Sequence, residues 1–375
     1  MANLFSNEEI QALGYQTPYF LFSKDKLRAQ YEEYRACFPD ASVHYAVKAN
    51  AEPELLQFLV ELGCGFEVAS KYELDQLKAV DAPAENIIYG TSVKPADHIR
   101  AFAEYGVDRF ACDSFPELEK IAIHAPGSRV FMRISVDDTG SVFKFSEKFG
   151  TSAENAVALL LRAREMNLIP YGISFHVGSQ ASNPKAWAQA LRHIIPSIEE
   201  LSRTGITLGA INIGGGFPCA YASFEQNISL KEIADETLAA YAELPYQPTM
   251  LLEPGRGIVA TTAIAVVEVI ARVERNQNTW LFVDAGVYQG FFETMAYQGS
   301  TRYRITSLRP SYDAGESLFA IAGPTGDSPD VITRETLLPS DIGVGDKLLV
   351  HDVGAYSLVA VSPFNGFPKP DVYFH

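Results

Sequence analysis

A single lysine, Lys48, ends the otherwise apolar run YAVKAN (45–50). Apolar surroundings disfavour an ammonium, lower its pKa and leave an amine able to attack an aldehyde and hold it as a Schiff base. The hexapeptide alone fits equally well a lysine that lays its stem on apolar surface and its head in water. Three other segments carry complementary chemistry. NIGGGFP (212–218) places Gly214, Gly215 and Gly216 in succession after a β-type run, so that backbone N–H groups can close on an anion such as phosphate. An unliganded glycine turn would read the same way, and the spacing matches neither a dinucleotide fingerprint nor a P-loop. EPGR (253–256) sets Glu253 at the end of an apolar run, a forced turn through Gly255, and Arg256 as a partner for phosphate oxygens. A carboxylate such as Glu253 suits a pyridine nitrogen, which it keeps protonated as an electron sink; the alternative is a local ion pair. FHVGSQ (175–180) offers His176, whose ring could stack on a cofactor, and Ser179, a donor to phosphate. A satisfied structural histidine is the competing reading.

Short β-branched or aromatic runs must carry these residues. They fall at 43–48, 65–69, 87–90, 109–112, 130–135, 172–177, 210–213 and 249–253. Between them, stretches such as 53–62, 71–80, 114–123 and 152–166 repeat apolar residues at three- and four-residue spacing, the pattern of core-facing helices. Eight alternating units predict a (β/α)₈ TIM barrel, whose active sites assemble at the C-terminal ends of the strands. Lys48, Glu67, Arg133, His176, Gly214 to Gly216 and Glu253 all lie at or just after such ends. Beyond about residue 265 the rhythm changes to strand-like runs separated by turns, which predicts an antiparallel β-domain joined by the N-terminal TPYFLFS. The expected domains are a barrel over 26–262 and a β-domain over 263–375, with 1–25 contributing.

The chain has 375 residues, a formal net charge of −16 and a pI near 4.9, which argues against a nucleic-acid partner and is compatible with a small cationic substrate. Cys37, Cys64, Cys112 and Cys219 show neither metal-ligand spacing nor a disulfide framework, so no metal is expected. The start has no basic segment leading into an apolar one, and no run offers the roughly 20 apolar residues of a membrane span. A soluble, cytoplasmic protein is the expectation.

Taken in order, YAVKAN, FEVAS, FHVGSQ, NIGGGFP, EPGRGIVA, GPTGDSPDV, GAYS and FNGF resemble the ornithine, diaminopimelate and arginine decarboxylase family of fold-type III pyridoxal-phosphate enzymes. The resemblance runs from about residue 17 onward and is strongest to the short bacterial ornithine/lysine decarboxylases. It implies an alanine-racemase-like barrel followed by a β-domain, pyridoxal 5'-phosphate as cofactor, and a head-to-tail homodimer with shared active sites. By motif, Lys48 would form the Schiff base, Glu253 would meet the pyridine nitrogen and His176 would stack on the ring. Ser179, Gly216 in its glycine run, Arg256 and Tyr356 would hold the phosphate, and Glu67, Glu73 and Arg133 would line the pocket. The activity implied is release of CO₂ from an amino acid, leaving an amine.

Two departures bear on substrate. The family usually has a cysteine where this chain has Gly326, next to a retained Asp327 that faces the substrate's distal amine in ornithine-type enzymes. An acidic residue expected shortly after ETM is replaced by Ala296, Tyr297, Gln298 and Gly299. A neutral pocket with added space suits a bulkier substrate or one without a free terminal ammonium, such as an intermediate of siderophore or antibiotic assembly, because an unpaired buried charge is costly. Drift within an ordinary ornithine or lysine decarboxylase is the alternative. An amino-acid racemase on the same fold, with Tyr297 or Tyr288 as second base, and a non-catalytic binding protein complete the set of readings.

Overall fold

Strands buried on both faces read as unbroken apolar runs, and parallel strands need helical crossovers between them. Both conditions hold over most of the chain. The computed structural model describes residues 3–145, 147–219, 221, 228–296, 303–309 and 315–375. They divide into two compact units, one built from residues 30–218 and 228–257 and the other mainly from 3–29 and 258–375.

In the first unit Ser42–Ala46, Gly65–Val68, Ile87–Tyr89, Arg109–Cys112, Arg129–Arg133, Ile169–Ser174, Ala210–Asn212 and Thr249–Leu252 pair in parallel and close into a barrel. Closure is made by Leu251 opposite Ser42 and Leu252 opposite Val43. Ile88, Ala111, Phe131, Ala210 and Leu251, from five of these strands, form one buried cluster, so the barrel is filled rather than hollow. The crossover helices start where their sequences provide a stop and a cap. Pro53–Glu61 has proline at its first turn. Lys71–Lys78 begins after Ser70, whose hydroxyl accepts the Glu73 N–H at 3.3 Å.

Several strands end earlier than their apolar runs predict. The first stops at Ala46, and Val47–Ala49 forms a 3₁₀ turn in which the Asn50 N–H bonds the Val47 carbonyl at 3.1 Å. The sixth stops at Ser174, two residues before His176. Past the first end the Asn50 donor goes to a local carbonyl, and past the sixth the Gly178 donor goes to the His176 ring, in place of a longer ladder.

The second unit is a sheet whose longest strand, Ala263–Arg275, pairs antiparallel with Tyr19–Phe22, Asn278–Val283 and Lys347–His351. A two-residue turn with positive φ at Asn276 and Gln277 joins it to Asn278–Val283, the geometry that suits a tight hairpin. The sheet is mostly antiparallel, as the run-and-turn rhythm predicts. Two pairings are parallel: Tyr19–Phe22 with Asp371–Phe374, and Asn278–Val283 with Glu316–Ala322. Long connections separate both pairs, so no hairpin forces them antiparallel. No helix among the described residues is long and apolar enough to cross a membrane, and none of their His, Cys, Asp and Glu side chains cluster as a metal site. None of the four cysteines is joined in a disulfide.

Candidate active site

The 3₁₀ turn at 47–49 sends Lys48 to the C-terminal mouth of the barrel, where its Nζ makes an ion pair with Glu67 of the neighbouring strand. The amine therefore lies against a carboxylate, not in the purely apolar setting its own hexapeptide suggests. Its side chain keeps 44% of its surface accessible, whereas that of Glu67 keeps 5%. Glu67 is accommodated because the next strand is followed at once by Gly90: a Cβ there would stand 2.4 Å from Glu67 Oε1. Gly90 carries no motif, and only the register of two strands reveals its part.

Glu253 follows the eighth strand and is fixed twice. Its N–H donates to the Gly214 carbonyl at 2.8 Å, and its Oε1 accepts from Asn212 Nδ2 at 2.6 Å. Asn212 Oδ1 in turn accepts the Gly214 N–H at 2.9 Å, so one amide aligns both the carboxylate and the glycine run. Asn212 was not singled out by sequence, although a polar residue ending an apolar strand is the available signal. Burial, and next the negative charge of Glu67, push the Glu253 carboxyl up to about 7, against the opposing pull of Lys48, Asn212 and Arg133. Arg133, at the end of the fifth strand, lies over the Phe149 ring, 5.0 Å from its centroid, and faces Glu253, Glu67 and Asp113.

His176 Nδ1 accepts the Gly178 N–H at 3.0 Å, which leaves any ring proton on Nε2. Burial, with the Arg133 and Lys48 cations nearby, holds this imidazole well below its ordinary pKa, so it is neutral. The Phe145 ring meets it edge-on, with centroids 5.1 Å apart. Ser179 pairs with Phe143 in a small two-stranded antiparallel sheet of Ser141–Phe143 with Ser179–Ala181, and Ala181 donates to the Gly216 carbonyl at 3.0 Å. Gly214 has φ of 69°, in the left-handed region, and a Cβ on Gly215 would stand 2.5 Å from the Glu253 carbonyl oxygen and 3.4 Å from His176 Nε2. The glycine run thus lies backbone to backbone against the Glu253 and His176 loops. Gly255 packs against the Lys48 turn, where a Cβ would be 3.0 Å from that of Ala49, and buried Arg256 opens the helix Arg256–Val259. Glu73 Oε2 accepts the Ala69 N–H at 2.6 Å, and burial raises its carboxyl.

These features fit a phosphorylated pyridine aldehyde. The N–H groups of Gly215, which is buried, and Gly216 have no acceptor among the described residues, as an anion cradle requires. An amine, a buried carboxylate and a neutral imidazole stand within one another's electrostatic reach. Gly215→Ala is expected to weaken pyridoxal phosphate binding by about 10- to 100-fold, because the obstacle is backbone that cannot step aside. Equilibrium titration of apoprotein with cofactor, followed by absorbance, checks this.

In the other unit, Asp327 accepts a hydrogen bond from the Tyr288 hydroxyl, whose ring stacks on Phe364 with centroids 4.4 Å apart. The loop carrying Asp327 is organised by Asp330, which accepts from Val287 N at 2.7 Å and from Thr325 N at 3.0 Å. Gly326 donates its N–H to Asn365 Oδ1 at 3.2 Å, and a Cβ on it would meet nothing within 4 Å. Tyr356 of GAYS has φ of 55°. Tyr297 lies outside the described residues.

Residues 24–260 match the family described as pyridoxal-dependent decarboxylase, pyridoxal binding domain. The chain is 33% identical over 364 residues to a lysine/ornithine decarboxylase of Selenomonas ruminantium, which covers 96% of this chain and 91% of that protein. The lysine/ornithine decarboxylase of Vibrio vulnificus, solved with cadaverine, superposes with a TM-score of 0.89 at 30% identity, over 98% of this chain and 97% of that one. The arginine decarboxylase of Paramecium bursaria Chlorella virus, solved with agmatine, gives a TM-score of 0.91 at 27% identity, over 98% and 99%. The closed barrel, the mixed sheet and the amine set against two carboxylates agree with these likenesses: the chain belongs to the pyridoxal-dependent amino-acid decarboxylases.

Proposed function

We propose that this enzyme decarboxylates an amino acid bulkier than ornithine, or one modified at its distal amine, with Lys48 as the residue that holds the cofactor aldehyde. Gly326 carries the substrate half of this reading. Its φ is not in the left-handed region and its Cβ direction is open, so neither backbone nor packing demands glycine there. A position where the resemblance implies a thiol has lost its side chain without a reason in the fold, which leaves room for substrate. Asp327 keeps one oxygen engaged by Tyr288 and one to accept a donor from the substrate's far end.

When bound, pyridoxal phosphate supplies the electron sink that takes up the pair released as the Cα–carboxylate bond breaks and CO₂ departs, until a proton replaces it. Glu253, poised near neutrality by burial, would hold the pyridine nitrogen's proton. Neutral His176 would cover the ring face without adding charge. Ser179, Gly214 to Gly216, Arg256 and Tyr356 would bind the phosphate, Gly255 leaving room for the Lys48 turn to pack against it. Glu67, Glu73 and Arg133 would set the field around Lys48. A homodimer belongs to this proposal, and Tyr72, Val93 and Phe115 support it. These apolar side chains are 69%, 61% and 45% exposed in three consecutive βα units at the mouth of the barrel, Val93 in a loop and Tyr72 and Phe115 in the first turns of the helices Lys71–Lys78 and Phe115–His124, the kind of surface a second chain covers.

The test is CO₂ release by the cofactor-reconstituted enzyme from ornithine, lysine, arginine, diaminopimelate and N-acylated or extended derivatives. Faster turnover of a derivative than of ornithine is expected, by at least about tenfold in kcat/KM. Rapid ornithine turnover overturns the substrate reading, and racemisation without CO₂ release overturns the reaction.

A further inference from the structure

A second lysine is buried at the mouth of the barrel, and it carries no motif. Lys94 lies in the loop after the third strand with none of its side-chain surface exposed. Its Nζ reaches the carbonyls of Thr91 at 2.7 Å, Ala111 at 2.5 Å and Ser92 at 3.4 Å, and Glu117 Oε1 at 3.2 Å. Glu117 Oε1 also accepts the Lys94 backbone N–H at 3.0 Å, and its Oε2 pairs with Lys120 at 2.7 Å. Lys120 Nζ returns to the Lys94 carbonyl at 2.5 Å. Both backbone groups and the ammonium of one residue are therefore held, and the fourth strand's end is tied to the loop of the third. Isolating an ammonium from water is costly, so this knot is retained against a penalty that a merely structural plug of apolar residues would avoid.

The loop so fixed begins at Gly90, the backbone that faces the Glu67 carboxylate. Gly90 N–H bonds the Val68 carbonyl at 3.1 Å, and Thr91 Oγ1 bonds the Ala69 carbonyl at 3.4 Å, so the loop is fastened on the Glu67 side as well. We infer that Lys94 and Glu117 are positioning residues for the Lys48–Glu67 pair, acting through the backbone at Gly90. Neither touches the reacting groups. They hold the wall that keeps the Glu67 carboxylate against the Lys48 amine. The inference rests on the reading of Lys48 as the cofactor's amine, and the experiment separates the two.

The variants are Lys94→Met, which frees the loop, and Gly90→Ala, which pushes Glu67 directly while leaving the Lys94 knot intact. Arg129→Met, which breaks a pair with Asp108 at the opposite end of the barrel, is the control for lost stability alone. Two readouts are followed: the pH midpoint of the cofactor–lysine absorbance in the holoenzyme, and the pH dependence of Lys48 labelling by an amine reagent in the apoenzyme. Letting a carboxylate drift from beside a cation favours the neutral form, so both midpoints are expected to fall by about 0.5–1 unit in Lys94→Met; in Gly90→Ala, whose added Cβ presses on the Glu67 side chain, both are expected to move from the wild-type value. kcat should drop by about tenfold with KM little changed, and Arg129→Met should lower Tm without moving either midpoint. Midpoints that stay at the wild-type value in Gly90→Ala, and in Lys94→Met or, if that variant does not fold, in Lys94→Met combined with Glu117→Leu, overturn the inference. Absence of any lysine-dependent band in the unmodified protein overturns the reading of Lys48 instead, and the labelling arm still decides the positioning role.

Discussion

Lys48→Ala should abolish the lysine-dependent absorbance of bound pyridoxal phosphate and lower decarboxylation by at least about a thousandfold. The size follows from what the side chain does in the proposed reaction: it is both the attachment point of the cofactor and the amine that substrate displaces, so covalent catalysis loses its nucleophile. The loss should not be structural. Lys48 sits on a short turn with nearly half its side-chain surface accessible, and its removal opens no core cavity. It does leave Glu67 buried without its ion-pair partner, so a modest fall in Tm should accompany the loss of activity. Reconstitution followed by absorbance and by CO₂ release measures both effects. An undiminished band in Lys48→Ala would assign the amine elsewhere.

Glu253→Gln carries the second large effect, with opposite signs for activity and stability. Glutamine cannot hold a proton on the pyridine nitrogen as a carboxylate does, so kcat should fall by about a hundredfold or more while the cofactor still binds. In the apoenzyme the same change should stabilise. Burial and the Glu67 charge raise the folded-state pKa of Glu253 to about 7 from an ordinary carboxyl value of 4.5. A raised carboxyl pKa means that the folded chain binds a proton more tightly than the unfolded one. The stability it contributes is full below about 4.5 and is lost as pH rises through about 7. Apo Glu253→Gln should therefore melt a few degrees above the unmodified apoprotein at pH 8 and level with it near pH 4.5. Bound cofactor, by pairing the carboxylate with a cation, should shrink the difference. Thermal scans of both forms across this pH range check the sign. A carboxylate that weakens the empty protein and strengthens the working one is a site whose stability has been given up to function.

The parts of this site that were legible from sequence are those whose chemistry is written in residue type. Three consecutive glycines, a Glu-Pro-Gly-Arg turn and a lone lysine ending an apolar run announce themselves, and the eight-fold rhythm of apolar runs predicts the barrel. Ends of elements were less legible: a strand and the turn after it share apolar residues, and only hydrogen bonding separates Ala46 from Val47. Residues that act through register were not legible at all. Gly90 matters because Glu67 lies on the neighbouring strand, Asn212 because Glu253 follows the strand beside it, and Lys94 because Glu117 is brought to it from 23 positions away. A lysine in a loop reads as solvated, and nothing in TSVK says otherwise. The two parallel pairings of the sheet are hidden for the same reason, since run-and-turn spacing records hairpins and not long returns.

The parallel pairing of Tyr19–Phe22 with Asp371–Phe374 also bears on how the chain emerges during synthesis. Roughly 350 residues separate the partners, so at about 5–20 residues per second the earlier strand waits on the order of 20–70 s for the later one. Meanwhile every strand and crossover of the barrel has left the ribosome and can close. Tyr19–Phe22 gains its other neighbour, Ala263–Val266, only after the barrel is complete. A segment of four apolar residues made before the barrel thus remains an open edge until the barrel's strands have followed it, and cellular holding factors have their clearest task there.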